Sequence, residues 1–544
     1  MSGDPEKFRE LMAEADRIGA ELDAILPDLA AARAKYFKTR AEADQRELDR
    51  IQEIASATMR RYSALQPQLR AATGLTVDEL EALLERPKPT EAGVDRVPRS
   101  ALTVDRVKTT ALMDELLPEA LRSLEALCPP GWLEGQADVD HQLTDLADGT
   151  APLSLIKGLR PASELTPLHR FRQMLRCARD FLKADAGYDH FAGATLLPQL
   201  AQLGSRLGYL NEVGGNVQDR LDRLHQGPSE QVDSVVFELL VAEALAEKGR
   251  RIEFIGETFD PTPDFRCYDP FPMFIECKRK RALSDYDLRE EREMRAVYDE
   301  LHKLCAGSRL HGLFSLHLSR EVFDVRPSDI ATVLYRQRLA AHPERPLVYD
   351  WGTVSFEEKP RTVTLPSSTK MYSPNMLRYV FGWNSDLPDW DGIICQVSGD
   401  GDQVVDTVSD PLALQWNNTS HVALRKRAWS PVDLVGSAMK QIPAGEFGMM
   451  YLCYHEGARE NVADRRVQDF MERLGEWDHS SNIRVPLALL VRLYPRALGQ
   501  GQPDLIESNL RFVSEAYGEP EMFSMFPQSL FTPSGQARRS NRYG

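Results

Sequence analysis

The chain contains no apolar run approaching the ~18–20 residues that a membrane-spanning helix needs. It opens Met-Ser-Gly-Asp-Pro-Glu-Lys, with no basic stretch leading into an apolar one, so an export signal is not expected. Its seven cysteines include no CxxC pair, and their odd number and irregular spacing suit neither a disulfide framework nor a zinc site. Reduced thiols in the cytoplasm are the expectation. GxxxxGK[ST] is missing, so ATP hydrolysis by a phosphate loop would have to come from a partner protein. There is no nucleophile elbow, no repeat of fixed period and no low-complexity tract. Positive charge is in deficit: 66 Lys and Arg stand against 82 Asp and Glu, for a net charge of −16. That balance argues against a protein that coats nucleic acid without selectivity, but not against an enzyme with a local basic surface.

With 544 residues and 42% hydrophobic content, the chain suits about three globular domains of ~100–200 residues. Residues 1–85 read as long helices. Phe8, Leu11, Met12, Ala15, Ile18, Leu22, Ile25, Leu26 and Leu29 recur at three- and four-residue steps, with Pro27 as a kink and a capping box at Thr76-Val-Asp-Glu79. A coiled-coil hairpin that joins copies into a homo-oligomer and helices packed on their own domain are both open readings. Residues 86–107, rich in proline and charge, read as a linker, and 110–228 as a helical domain broken at Pro129-Pro130-Gly131 and Gly214-Gly215.

The texture changes at 231. Val235 to Lys248 is a strongly apolar helix that Gly249 is placed to end. Strands follow at 251–255, 263–267 and 273–278, then an amphipathic charged helix at 284–305 and a strand at 311–318. The order is α-β-β-β-α-β across 231–325. Residues 326–544 read as mixed α/β, with strands at 362–365, 392–397, 448–454 and 485–493 and a helix opened by Ser430-Pro-Val-Asp433.

In a strand, residues two apart share a face, so Glu276 and Lys278 project together. Asp269-Pro-Phe-Pro272 is a turn by composition, and a hairpin folded about Pro270 sets Asp264 opposite Glu276. Directly paired residues have Cβ atoms ~4.5–5.5 Å apart, near enough for both carboxylates to bind one divalent ion such as Mg²⁺ or Mn²⁺. Such an ion activates water and stabilises charge growing on a phosphate, and Lys278 on the same face can hold the attacking water. Glu238 lies on the apolar stripe of its helix with Val241, Ala242 and Leu245, where a carboxylate needs a partner. Glu243 competes with it for the same role. The bland alternative is a surface strand pair with a solvated Glu–Lys contact.

Pro263-Asp264 followed by Glu276-Cys277-Lys278, after an acidic residue on a first helix and in an αβββαβ order, resembles the PD-(D/E)xK nuclease superfamily. The resemblance covers residues ~231–320 only. Other Pro-Asp pairs, such as Pro388-Asp389, and the second E-x-K at Glu357-Glu-Lys359 lack a partner at hairpin distance between apolar strands. The resemblance implies a restriction-endonuclease-like core in an α/β chain. Asp264, Glu276 and the auxiliary Glu238 would be metal ligands, and Lys278 the catalytic lysine. It implies DNA as the substrate, and the size of the chain suggests an effector of a bacterial restriction or anti-phage defence system. An RNA-cleaving toxin, or a silent nucleic-acid-binding scaffold that works through its coiled-coil arm, are the rival expectations. Arg279, Lys280 and Arg281 are candidate nucleic-acid contacts. Arg425-Lys-Arg427 and Arg538, Arg539 and Arg542 are further basic clusters. His302, His311 and His317 have no acidic or cysteine partners in sequence and read as packing or surface residues.

Overall fold

The computed structural model describes residues 113–133, 152–159, 169–183, 188–256, 262–269, 272–280, 283–305, 311–340, 342–383, 390–399, 404–443, 445–457, 460–480, 484–497, 503–513, 525–527 and 529–531. It also describes strand residues 104–108 and 537–540 and, toward the N-terminus, Glu14, Arg17, Ile18, Glu21, Arg50, Ile54 and Arg61. The capping box at Thr76–Glu79, both Pro27 and Pro270, Arg281, Arg542 and most of the N-terminal helical periodicity lie outside the described residues. The chain divides into two compact units, Met1–Asp95 and Arg96–Gly544. In the first, all the described residues are helical, Ile18 is buried, and Arg61 pairs with Glu21 at 2.8 Å and Glu14 at 3.7 Å.

The second unit is mixed α/β with two mixed sheets. In chain order its strands are β1 (Val104–Lys108), β2 (Leu153–Ile156), β3 (Gly214–Gly215), β4 (Ile252–Phe254), β5 (Phe265–Cys267), β6 (Met273–Arg279), β7 (Gly312–Leu318), β8 (Leu347–Tyr349), β9 (Gly352–Glu358), β10 (Thr362–Lys370), β11 (Gly392–Ser398), β12 (Val404–Asn418), β13 (Phe447–His455), β14 (Arg484–Ala497), β15 (Pro503–Val513) and β16 (Ala537–Ser540). The helices are α1 (Met113–Glu125), α2 (Arg170–Leu182), α3 (His190–Arg206), α4 (Val217–Gln226), α5 (Val232–Glu247), α6 (Asp285–Cys305), α7 (Pro327–Gln337), α8 (Pro374–Phe381), α9 (His421–Trp429), α10 (Asp433–Met439) and α11 (Glu460–Ser480). No described helix is long and apolar enough to cross a membrane.

The first sheet runs β16-β1-β15-β14-β13-β6-β5-β4-β3, and the second β2-β11-β12-β7-β9-β8 with β10 also on β12. β13 is apolar on nearly every residue and buried almost throughout, as suits a strand covered on both faces between parallel neighbours β6 and β14. α5 is buried nearly all round and packs in one core with β4, β5, β6, β13 and β14. Gly249, at φ +69°, ends its last turn and accounts for the helix stop.

Four sequence expectations are corrected. β7 does not close a contiguous core at 231–325: it lies parallel to β12 and antiparallel to β9 in the second sheet. The parallel neighbour of β6 is β13, which arrives only after α6, the second sheet, α9 and α10. An apolar strand such as β7 can fill an interior place in either sheet, and its letters carry no address. The supposed linker at 86–107 ends in β1, which pairs with β15 and β16. The helix expected from Ser430 begins instead at Asp433, while Ser430 closes α9. The 110–228 segment, read as wholly helical, also gives β2 to the second sheet and β3 to the first.

Candidate active site

β5 and β6 pair antiparallel with Phe265 opposite Ile275 and Cys267 opposite Met273. One step further on this register puts Asp264 opposite Glu276. The ladder is irregular there: the Asp264 amide donates to the Ile275 carbonyl at 3.1 Å, one residue short of that register, so Asp264 stands at a bend before β5. Phe265, Cys267, Ile275 and Cys277 therefore face the core under α5, while Glu276 and Lys278 take the other face and Asp264 stands at the bend where β5 begins. Asp264 Oδ2 accepts from the Cys277 amide at 2.7 Å, which fixes its carboxylate across the hairpin.

Glu276 is fully buried and ion-pairs with Lys278. Lys278 Nζ also donates to Gln441 Oε1 at 2.9 Å, from the segment between α10 and β13. Glu238, on α5, pairs through its Oε2 with Nη1 of Arg220 on α4 at 3.5 Å and feels the charges of Asp264 and Lys278. Glu243, five residues along the same helix, is fully buried with neither carboxyl oxygen hydrogen-bonded. Its charged neighbours are Arg206 and Glu247 rather than the Asp264 group, so the helix aims Glu238 and not Glu243 at the hairpin.

The electrostatics bind these side chains into one group. Burial, then the Asp264 carboxylate, push Glu238 up to about 8 against the pull of Arg220 and Lys278. Burial and Asp264 likewise push Glu276 up to about 9, with Lys278 opposing and Glu238 adding to the rise. Burial works against the Lys278 ammonium, but Glu276 and Asp264 outweigh it and raise its proton affinity. Glu276 Oε2 is buried without a hydrogen-bond donor, while its other oxygen faces Lys278 and Glu238 Oε2 has only Arg220 at 3.5 Å. Carboxyl groups that face one another out of water hold protons that a cation would displace. Among the described residues, however, no three His, Cys, Asp or Glu side chains stand close enough together to hold a metal ion as they are placed. One Glu276 oxygen faces Lys278, and Asp264 Oδ2 is engaged by the Cys277 amide.

The other basic candidates are occupied otherwise. Arg279 is buried, donating to Gln199 Oε1 at 3.0 Å and to the Asp233 carbonyl at 2.9 Å, and stacking over Phe531. It pins the end of β6 to the start of α5 and is not a surface contact. Lys280 pairs with Asp433 at 2.9 Å. Arg427, expected as part of a solvated cluster, is a buried hub that reaches Asp391 at 2.7 Å, Asp287 at 3.5 Å and Glu290. Lys426 beside it pairs with Glu321. His311 Nδ1 meets the Lys359 carbonyl at 2.6 Å, and His302 and His317 pack on Tyr298 and Trp390.

Arg220 and Gln441 went unrecognised in the sequence. Gln441 lies 163 residues from the lysine it touches, and no local pattern marks it. Arg220 sits in an ordinary charged helix, and only the fold reveals its glutamate. Comparison of the chain with protein-family models, with curated proteins and with solved structures returned no match.

Proposed function

We propose that the chain is a divalent-metal-dependent nuclease that hydrolyses phosphodiester bonds at Asp264, Glu276 and Lys278, with Glu238 assisting. The observation that carries this reading is the grouping of three carboxyl groups and a lysine at the β5–β6 hairpin, with raised proton affinity on Glu238 and Glu276 and one Glu276 oxygen buried without a donor. A purely structural Glu–Lys contact would not draw a third carboxylate from α5 toward the same spot. The connectivity supports the finer fold assignment: α5, β4, β5 and β6 are followed, after a long interposed segment, by α10 and the parallel strand β13. That is the αβββαβ order of a restriction-endonuclease-like core, with its second αβ unit displaced along the chain.

The donor set is all oxygen and suits a hard cation such as Mg²⁺ or Mn²⁺, with Asp264, Glu276 and Glu238 as the residues that would hold it. When bound, the ion would supply charge neutralisation at the phosphate and a more acidic water. Lys278 holds Glu276 and Gln441; with the carboxylates neutralised by a cation, its ammonium would be free to hold water or a phosphate oxygen while Gln441 kept it in place. DNA as the substrate, a role in defence against phage, association of copies through the N-terminal helices, and regulation by a partner protein are further parts of the proposal that rest on the family resemblance and on chain length.

The test is cleavage of plasmid, linear and single-stranded DNA and of RNA with Mg²⁺, Mn²⁺ or EDTA. Asp264→Ala and Lys278→Ala are each expected to lower the rate by at least ~10². Metal-dependent cutting that both variants retain would refute the assignment.

A further inference from the structure

We infer that the sheet face running outward from Asp264 and Glu276 across β5 and β4 is the track on which a nucleic-acid strand lies, with Arg266 and Arg251 gripping its phosphates. This deepens the nuclease reading and rests on it for the identity of the occupant.

The register builds the track. Arg266 stands opposite Phe274 and Glu253. It therefore occupies the face of Glu276, one residue pair further out. Tyr268 follows by the same alternation, and its amide donates to the Arg251 carbonyl at 3.0 Å. Two-residue steps of ~6.7 Å put the outer arginine roughly 13 Å from the carboxylate pair. A stacked strand carries one phosphate per ~3.4 Å, so that distance spans about four nucleotides.

The side chains along it alternate cation and ring. The Arg251 guanidinium lies 4.6 Å from the Tyr268 ring centre, and Arg266 lies 5.4 Å from Tyr268 and 5.6 Å from Phe274. Stacking holds each guanidinium by its face and leaves its N–H edges for a phosphate, whose geometry the fork matches. The ring itself is fixed, because the Tyr268 hydroxyl donates to Glu253 at 2.7 Å. Cations already ordered in this way lose little freedom on binding. Glu253 opposes them with one negative charge, so among these residues two guanidiniums face one carboxylate.

The face is open where it needs to be. On the β13 side α10 packs over it, through Val435, Ala438 and Met439 against Met450 and Leu452. On the β4 side Arg251, Glu253 and Arg266 are exposed. Beyond them Gly214 lies opposite Glu253 and adds no side chain to wall the track off. Its neighbour Gly215 has φ +79°, and a Cβ there would lie 2.3 Å from the Phe254 carbonyl oxygen, so this edge accepts only glycine.

The experiment is binding of a fluorescent single-stranded oligonucleotide and of its duplex to the full chain in EDTA, over a range of salt. The unaltered chain would run beside Arg251→Gln/Arg266→Gln and Arg251→Lys/Arg266→Lys, with thermal unfolding as the check on folding. Loss of two charge-assisted contacts predicts at least a tenfold weaker complex for the glutamine pair. The slope of log K against log salt should become shallower by about 1.4 for single strands or about 1.8 for duplex. The lysine pair should recover the slope, since it restores the charges. Loss in the single-stranded arm, the duplex arm or both supports the track and names the form it takes. A folded glutamine pair with unchanged affinity and slope in both arms would overturn it, as would an unaltered chain that binds neither form. Hydrolysis by the unaltered chain with Mg²⁺ is scored separately. Arginine-dependent binding without any cutting would leave the track standing and remove the nuclease reading.

Discussion

Replacing Glu276 by Gln should make the metal-free protein more stable at alkaline pH and leave it unchanged in acid. In the folded chain the Glu276 carboxyl is pushed up to about 9 by burial and by Asp264, whereas a free glutamate titrates at 4.5. Below ~4.5 both the folded and unfolded states hold the proton, and the group costs nothing. As pH rises, the unfolded chain releases its proton first, so stability falls steadily until pH passes the folded value. At ~1.4 kcal/mol per unit, the ~2.5 units between 4.5 and pH 7 amount to roughly 3 kcal/mol. Part of this is shared with Glu238, and Lys278 exchanges a carboxyl acceptor for an amide in the variant, so a net gain of about 1–3 kcal/mol at pH 8 is the expectation. Chemical denaturation of both proteins in EDTA at pH 5, 6.5 and 8 measures it. Wild-type stability should decline over that span and the variant should decline less. Equal pH slopes, or a variant that is weaker at every pH, would show that the carboxyl is not held as a buried acid and would remove the electrostatic argument for the site.

Mg²⁺ or Mn²⁺ should raise the unfolding temperature more at pH 8 than at pH 6, because protons compete for the same carboxylates; a saturating ion at ~100-fold its Kd adds about 2.7 kcal/mol. Asp264→Ala should abolish that increment, and a cation effect of equal size in the variant would place the ion elsewhere. Arg427→Ala strands Asp287, Glu290 and Asp391 in the interior and should cost about 3–5 kcal/mol in urea unfolding, whereas Lys426→Ala breaks a partly exposed pair with Glu321 and should cost under ~1 kcal/mol. Gly215→Ala combines a left-handed backbone with a backbone clash and should cost about 1–3 kcal/mol; a neutral result would mean that β3 does not pair with β4 in solution.

The parts of this molecule that were legible in its sequence are those whose partners are near along the chain. β5 and β6 are joined by a short turn, so alternation and turn composition were enough to pair the two strands and to bring Asp264 beside β6, where it meets the Cys277 amide. The helix stop at Gly249 was likewise local, as was the oddity of a glutamate on the apolar stripe of α5. What failed was every inference that needed a distant partner. β7 and β13 are both apolar strands, and only the rest of the fold decides which of them lies beside β6. β1 reads Val-Asp-Arg-Val-Lys in a charged, proline-rich stretch, and what makes it a strand is β15, four hundred residues away. Arg427 looked like one of three surface cations because its carboxylates are supplied by α6 and by Asp391 beside β11.

That hub also explains how β6 and β13 can be neighbours although the chain between them builds most of a second sheet. Closing so long a loop costs little more than closing one half its length, about 0.6 kcal/mol per doubling, so length alone is no obstacle. What is required is a rigid base where the segment leaves and returns. Arg427, on α9 near its return, grips Asp287 and Glu290 on α6 near its departure. Lys157 joins Asp287 at 3.2 Å, and Arg466 of α11 ties the Arg427 carbonyl to Glu456 at the end of β13. The Lys280 amide, just past β6, meets the Cys453 carbonyl of β13 at 2.8 Å and completes the closure. Gln441 lies on the returning stretch, between this base and β13, and its side chain holds Lys278. The second sheet and the candidate catalytic lysine thus share one short length of backbone, and a change in how that sheet is anchored has a direct covalent route to the site.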